Sequence, residues 1–198
     1  SIVSAGSFFS RSDFRFRPSG LFDPTSLLRL FKTFIPEDDF ASLRLPLYVA
    51  ATEITGGHTE YFEKGSLYKA LLASSSIPFI FPPVKDDTKI YLDGGIMNNL
   101  PIEPIKDKCN FLIGVHVNAL TKESLHPLTT RKLFDRVVHL ALNHPVYEKS
   151  QQCHLFIDPP EMTRFSMFDK KEAKNIFEQA YQYTLTLIDK AMPLPSQP

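Results

Sequence analysis

The sequence predicts an α/β fold built on a mostly parallel sheet. Three observations carry this. Short apolar runs suited to strands alternate with segments of helical periodicity. Phe111 to Val117 is a continuous apolar run that takes in His116 near its end, the mark of a central parallel strand. Asp169 to Met192 is a long amphipathic segment able to cover a sheet, with Ile176, Phe177, Ala180, Tyr181, Leu185 and Ile188 expected to face inward. At 198 residues the chain suits one domain, or most of one, and can bury roughly 70% of its unfolded surface.

The elements follow in order. Ser1 to Phe9 is small and apolar and reads as a helix already under way, and Ser10 to Gly20 is polar and basic, a loop. Asp23-Pro24 opens a helix, because Asp can cap it and Pro suits the first turn; Leu27, Leu28, Leu30, Phe31 and Phe34 form its apolar stripe, and Pro36 ends it. Leu45 to Ile54 reads as a buried strand. Thr55-Gly56-Gly57 turns the chain, and His58 to Phe62 pairs back as a hairpin. Ser66 caps a short helix through Leu67, Ala70, Leu71 and Ala73. Ile77 to Val84 carries three prolines, too many for regular structure. Lys89 to Leu92 is a short strand leading into Asp93-Gly94-Gly95. Thr130 to Leu142 is helical, and His154 to Ile157 is a further strand.

Composition narrows the function. Lys+Arg and Asp+Glu are both 22, so no basic excess exists to neutralise phosphates, and a nucleic-acid partner is not expected. Two cysteines, Cys109 and Cys153, are too few for a disulfide-stapled secreted domain and read as buried free thiols. No Cys/His cluster has metal-ligand spacing, so no metal site is expected. No apolar run reaches the ~18 residues that span a bilayer, and no signal peptide is visible. A cytoplasmic setting is the favoured expectation.

The stretch that speaks of chemistry runs from Ala73 to Pro101. An Asp at the C-terminal end of a strand, here Asp93, stands where open α/β sheets place their active sites. Gly94 and Gly95 lack a Cβ, which permits positive φ and close approach of another backbone or a ligand. Asn98 and Asn99 can bond nearby backbone and hold the loop. Asp-Gly-Gly alone is more simply a plain turn, since Asp-Gly is a common hairpin signal.

The composite says more. Ala73-Ser74, then Ile77-Pro78, then Phe81-Pro82-Pro83-Val84, then a strand into Asp93-Gly94-Gly95, with Asn98-Asn99 and Pro101 behind it, resembles the patatin-like phospholipase family. Gly20-Leu21-Phe22-Asp23, Leu45 to Glu53 and Ile113-Gly114-Val115 add to the likeness, which covers about residues 20 to 118. The resemblance implies a three-layer α/β sandwich. It implies hydrolysis of a carboxylic ester, most often of a lipid, through an acyl-serine intermediate. It also implies that Asp93 pairs directly with the nucleophilic serine, without histidine, and takes its proton. A carboxylate of pKa ~4 is a weak base, so partial burial must raise its basicity.

The family also carries a Gly-rich oxyanion loop and a Gly-x-Ser-x-Gly elbow, and no complete Gly-x-Ser-x-Gly occurs in the chain. Ser1 to Ala5 looks like the helix that follows such an elbow. The expectation is therefore one patatin-like domain over residues 1–198, N-terminally incomplete, with its nucleophile upstream of Ser1. Ser4 is the competing nucleophile, but Ile2 is β-branched where the strained elbow wants a small residue.

Other candidates are weaker. His116 would serve as a triad base only if it met Asp93; a strand-end histidine bonded to backbone is the plainer reading. His58, His126, His139, His144 and His154 show no pattern. Arg11, Arg15 and Arg17 alternate with Phe14 and Phe16 and could meet lipid headgroups in peripheral membrane contact, though a solvated loop explains them as well. Phe79, Ile80 and Phe81 could line an acyl pocket or simply pack the core. Two rivals to the enzyme stand beside it. One is a catalytically inactive relative with a structural or lipid-binding role. The other is a nucleotide-binding module, which would need a Gly-rich strand-to-helix turn, whereas Gly56-Gly57 lies in a hairpin.

Overall fold

The computed structural model describes residues 14–17, 20–120, 126–165 and 171–191. The expected helix over Ser1 to Phe9, with Ser4, lies outside the described residues. The chain divides into two compact units, Ser1–Pro104 and Ile105–Pro198.

In the first unit, β1 (Phe14–Arg17) and β2 (Gly20–Phe22) pair antiparallel, so the segment read as a loop carries a small ribbon. Helix α1 (Thr25–Phe34) starts after Asp23, whose Oδ1 accepts the Thr25 N–H at 2.9 Å. A four-stranded sheet follows, in the order β4 (His58–Phe62), β3 (Val49–Glu53), β6 (Lys89–Asp93), β5 (Val84–Asp86). Every pairing in it is antiparallel. This corrects the expected mostly parallel sheet. For two of the three pairings the physical reason is connection length. β3 reaches β4 through Ile54–Gly57, with Gly57 at φ 71°, and β5 reaches β6 through Asp87-Thr88, with Asp87 at φ 50°. A parallel crossover needs a dozen residues or more.

Glu53 holds the first of these turns. Its carboxylate accepts the Thr55 N–H at 2.8 Å and the Gly56 N–H at 2.7 Å. A hydrogen bond from the Thr55 side chain leads the causes that draw this carboxyl down to about 2, and the Gly56 and Thr55 N–H groups add to it, although only 3% of the residue is exposed.

Helix α2 (Leu67–Ser74) begins where expected, with the Ser66 hydroxyl accepting the Lys69 N–H at 3.2 Å. It packs on the sheet through Ala73, which meets the small Ala51 and the large buried ring of Tyr91. Leu67 and Ala70 join Phe40 and Val49 in a second cluster. Burying a side chain the size of Leu67 is worth about 1.5–3 kcal/mol. Together these contacts fix β3 and β6 under α2, and Asp93 is the last residue of β6.

In the second unit, β7 (Ile113–Val115) and β8 (Leu155–Ile157) form a parallel pair. Helix α3 (Thr130–Ser150) is their crossover and runs past the expected end at Leu142, through Pro145. Helix α4 (Ala173–Ala191) follows. Two expectations are corrected here. Leu112, Gly114 and His116 are buried but Phe111, Ile113, Val115 and Val117 are exposed, so this strand is covered on one face, not two. On α4, Phe177, Tyr181 and Leu185 are exposed, while Ile176, Ala180 and Ile188 are half-buried. Both cysteines are free, but Cys109 is exposed and Cys153 half-buried, against the expectation of two buried thiols.

Candidate active site

Asp93 is held from several sides. Its register partner on β3 is Ala51. Its N–H donates to the Ser76 carbonyl at 3.0 Å, and its own carbonyl accepts the Thr52 hydroxyl at 2.9 Å. Its carboxylate Oδ1 accepts the Gly95 N–H at 2.8 Å. Burial pushes this carboxyl above its ordinary value, and the Gly95 N–H tempers the rise. A half-buried carboxylate with raised basicity, oriented by one fixed donor, is equipped to accept a proton from a hydroxyl within reach.

The two glycines are needed for space. A Cβ on Gly94 would overlap the Ala50 carbonyl, and one on Gly95 would meet Asn99 Oδ1 at 2.9 Å and Asp93 Oδ1 at 3.0 Å. Neither has positive φ, so that part of the expectation is corrected, and close approach is what excludes a side chain. The chain then makes one turn of 3-10 helix, Gly94–Ile96, closed by the Met97 N–H to the Gly94 carbonyl at 3.2 Å, and the Asn98 N–H reaches the same carbonyl at 2.8 Å.

Beside this turn lies a cavity of about 310 Å³. Tyr48, Val49, Ala50, Leu71 and Pro101 give it apolar lining, and Ser74, Asn98, Asn99 and the Gly94-Gly95 backbone give it polar lining. Asp93 precedes that backbone directly. The structure thus gathers Asp93, Gly94, Gly95, Asn98 and Asn99 in one place. Phe79, Ile80 and Phe81 do not line the cavity: Phe79 is 84% exposed at φ 67°, and Phe81 is buried.

His116 belongs to the second unit. Its Nδ1 stands 2.9 Å from Asp158 Oδ1, and Asp158 Oδ2 accepts the Tyr147 hydroxyl at 2.7 Å. Its backbone N–H donates to the Ile157 carbonyl at 2.8 Å, while its ring has a side-chain partner. Of the arginines read against a lipid surface, Arg11 lies outside the described residues, and Arg15 and Arg17 fall on β1. Among the described residues no group of His, Cys, Asp and Glu could hold a metal ion, and no helix is long and apolar enough to cross a membrane.

Two site residues escaped the sequence reading. Tyr61 on β4 and Glu103 after the motif both bond Asn98. Tyr61 stands 37 residues from Asn98, and no local signal marks a pairing at that range.

Residues 3–106 match the family described as patatin-like phospholipase. The chain belongs to that family. The match takes in β6, the Asp-Gly-Gly turn and every residue lining the cavity. Among individual relatives, an uncharacterized NTE family protein of Mycobacterium bovis is 31% identical over 100 residues, 48% of this chain and 28% of that protein. The lysophospholipase NTE1 of Cryptococcus neoformans is 30% identical over 63 residues, 32% of this chain and 4% of its own length. The lysophospholipase nte1 of Aspergillus fumigatus is 31% identical over 77 residues, 39% of this chain and 5% of its own. The patatin-like chain therefore spans a little over a quarter of the first of these relatives and a small fraction of the others.

Proposed function

We propose that the protein containing this chain is a lipid acyl hydrolase that works through a Ser-Asp dyad. Asp93 is its general base: it takes the serine proton as the hydroxyl attacks the ester carbonyl, and returns it to the leaving alcohol. Water then releases the acyl group from the serine by the same route. The observation that carries this reading is the placement of Asp93, a half-buried carboxylate of raised basicity at a strand end, beside a cavity lined by both apolar and polar residues. The nucleophile is proposed to come from a Gly-x-Ser-x-Gly element outside residues 1–198, with Ser4 the competing candidate. Lysophospholipids are the first substrates to try, because two of the relatives are lysophospholipases. Residues 1–198 are taken as parts of one patatin-like domain. The expected partners are a lipid or ester substrate and, in passing, a membrane surface; no nucleic acid and no cofactor enter the mechanism.

The inactive relative is the second reading. It is favoured by one fact, that no Gly-x-Ser-x-Gly occurs in these residues.

One experiment separates them. The whole reading frame containing this chain is expressed and treated with a fluorophosphonate probe, and turnover of a lysophospholipid and a p-nitrophenyl ester is followed. The expected result is labelling of a single serine, and a loss of about 10²–10⁴ in turnover for Asp93→Asn with the fold retained. Wild-type turnover in folded Asp93→Asn overturns the base assignment. No label and no turnover favours the inactive relative. Labelling at Ser4 in residues 1–198 alone would make that serine the nucleophile.

A further inference from the structure

The residues that hold the Asp93 turn in place lie partly outside the cavity. Asn98 is 7% exposed, and its amide nitrogen donates to the Tyr61 hydroxyl at 2.7 Å and to Glu103 Oε2 at 2.9 Å. The Tyr61 hydroxyl in turn donates to the same Glu103 oxygen at 2.9 Å. Three groups close a ring that consumes both hydrogens of the Asn98 amide. On its backbone side Asn98 is tied to the Gly94 carbonyl at 2.8 Å. Gly95, the next residue of that turn, carries the N–H that orients the Asp93 carboxylate. Tyr61 sits on β4 in register with Ala50 of β3, the residue whose carbonyl presses on Gly94. A rigid strand thus holds the turn both through Ala50 and through Tyr61 and Asn98. Neither Tyr61 nor Glu103 lines the cavity.

We infer that Tyr61 and Glu103 are positioning residues for the hydrolytic reaction, acting through Asn98 to fix the Gly94–Ile96 turn and with it the orientation of Asp93. This rests on Asp93 being the base. Asn98 serves as the clamp because an amide supplies two donors at one atom. An aspartate there would bring a third acceptor against Glu103 and Tyr61. Burial first, and then Glu103, push the Tyr61 phenol up to about 12, so it remains a neutral donor throughout any working pH range. A base displaced by an ångström can cost on the order of 10²-fold. Turnover should therefore depend on residues that never touch substrate.

The test uses the whole reading frame, with Tyr61→Phe, Glu103→Ala, Glu103→Gln and Asp93→Asn compared on a p-nitrophenyl ester across pH. The expected result is a fall in kcat of about tenfold to hundredfold in Tyr61→Phe, with KM within about twofold of wild type. Glu103→Ala should fall in the same sense. Glu103→Gln, which keeps an acceptor oxygen, should recover most of that loss. The acid limb of the kcat profile should also move to lower pH in Tyr61→Phe and Glu103→Ala, because a loosened turn lets water reach the Asp93 carboxylate. A merely structural role would leave that limb in place. Glu103 is exposed, so its variants test the inference even where Tyr61→Phe does not fold. An inert Asp93→Asn beside wild-type kcat and an unmoved acid limb in the folded clamp variants overturns this inference alone. Wild-type turnover in Asp93→Asn overturns both it and the dyad.

Discussion

The carbonyl of Ala50 lies against the Cα of Gly94, so close that a side-chain carbon on residue 94 would overlap it. The contact joins β3 to the turn that follows Asp93, and it is backbone against backbone, with no flexible side chain to yield. Replacing Gly94 by Ala must push the turn off the strand. Overpacking of this kind costs about 1–3 kcal/mol. Gly94→Ala is expected to lower Tm by several degrees and to reduce esterase turnover of the whole protein by far more than the unfolded fraction explains. A melting curve and an initial-rate assay on one preparation check this. Unchanged Tm and unchanged turnover would mean that the strand gives way freely.

Asp93 should weaken the fold that holds it. Burial raises its carboxyl above the ordinary value, so the folded state favours the protonated form and ionisation acts against folding. Below the unfolded pKa the group is protonated in both states and costs nothing. The cost appears as pH rises through the carboxylate range and is complete above the folded pKa. Asparagine keeps an oxygen for the Gly95 N–H and has no charge to bury. Asp93→Asn is therefore expected to raise Tm at neutral pH, with the gain vanishing toward pH 3, while turnover is lost. Denaturation at a series of pH values reads the slope. A variant less stable than wild type at neutral pH would contradict the burial account.

His116 and Asp158 make the opposite case. His116 is 4% exposed, Asp158 is nearly buried, and the His116 ring stacks on Phe156 and meets Tyr147 edge-on. Its Nε2 has no protein partner among the described residues, which is the arrangement a Ser-His-Asp triad would also present. His116→Ala distinguishes structure from catalysis. It removes a donor from Asp158 and opens a cavity, together worth about 2–4 kcal/mol. If Asp93 is the base, turnover of the folded variant stays within about tenfold of wild type, far from the ~10⁴ loss when a triad member goes. A loss of several thousandfold in folded protein would transfer the base to His116.

Much of the site could be read before any coordinates. Asp93 at a strand end, two glycines after it and two asparagines behind form a local pattern, because residues so close in sequence share a turn whatever the rest of the chain does. The Ser66 cap and the His58–Phe62 hairpin were legible for the same reason: one hydrogen bond over three residues and one glycine turn decide them. The family itself was legible because its motifs cluster within a single stretch.

What only the tertiary structure decided involves residues far apart. Strand direction is not legible in sequence, because an apolar run does not say which neighbour it will pair with, and β6 lies beside β3 with residues 54–88 between them. The same limit applied to burial. The Phe111 to Val117 run and the Phe177, Tyr181, Leu185 stripe look like core by pattern, yet exposure depends on what packs against them. Tyr61 meets Asn98 and Glu103 only once the sheet has formed, and His116 meets Asp158 in the same way. A hydrogen bond needs its atoms within about 3 Å, and for residues tens of positions apart it is the packed sheet that supplies that proximity. The sequence by itself determined which groups could do chemistry at Asp93; the folded sheet decided how that carboxylate is buried, what orients it and which distant side chains hold it there.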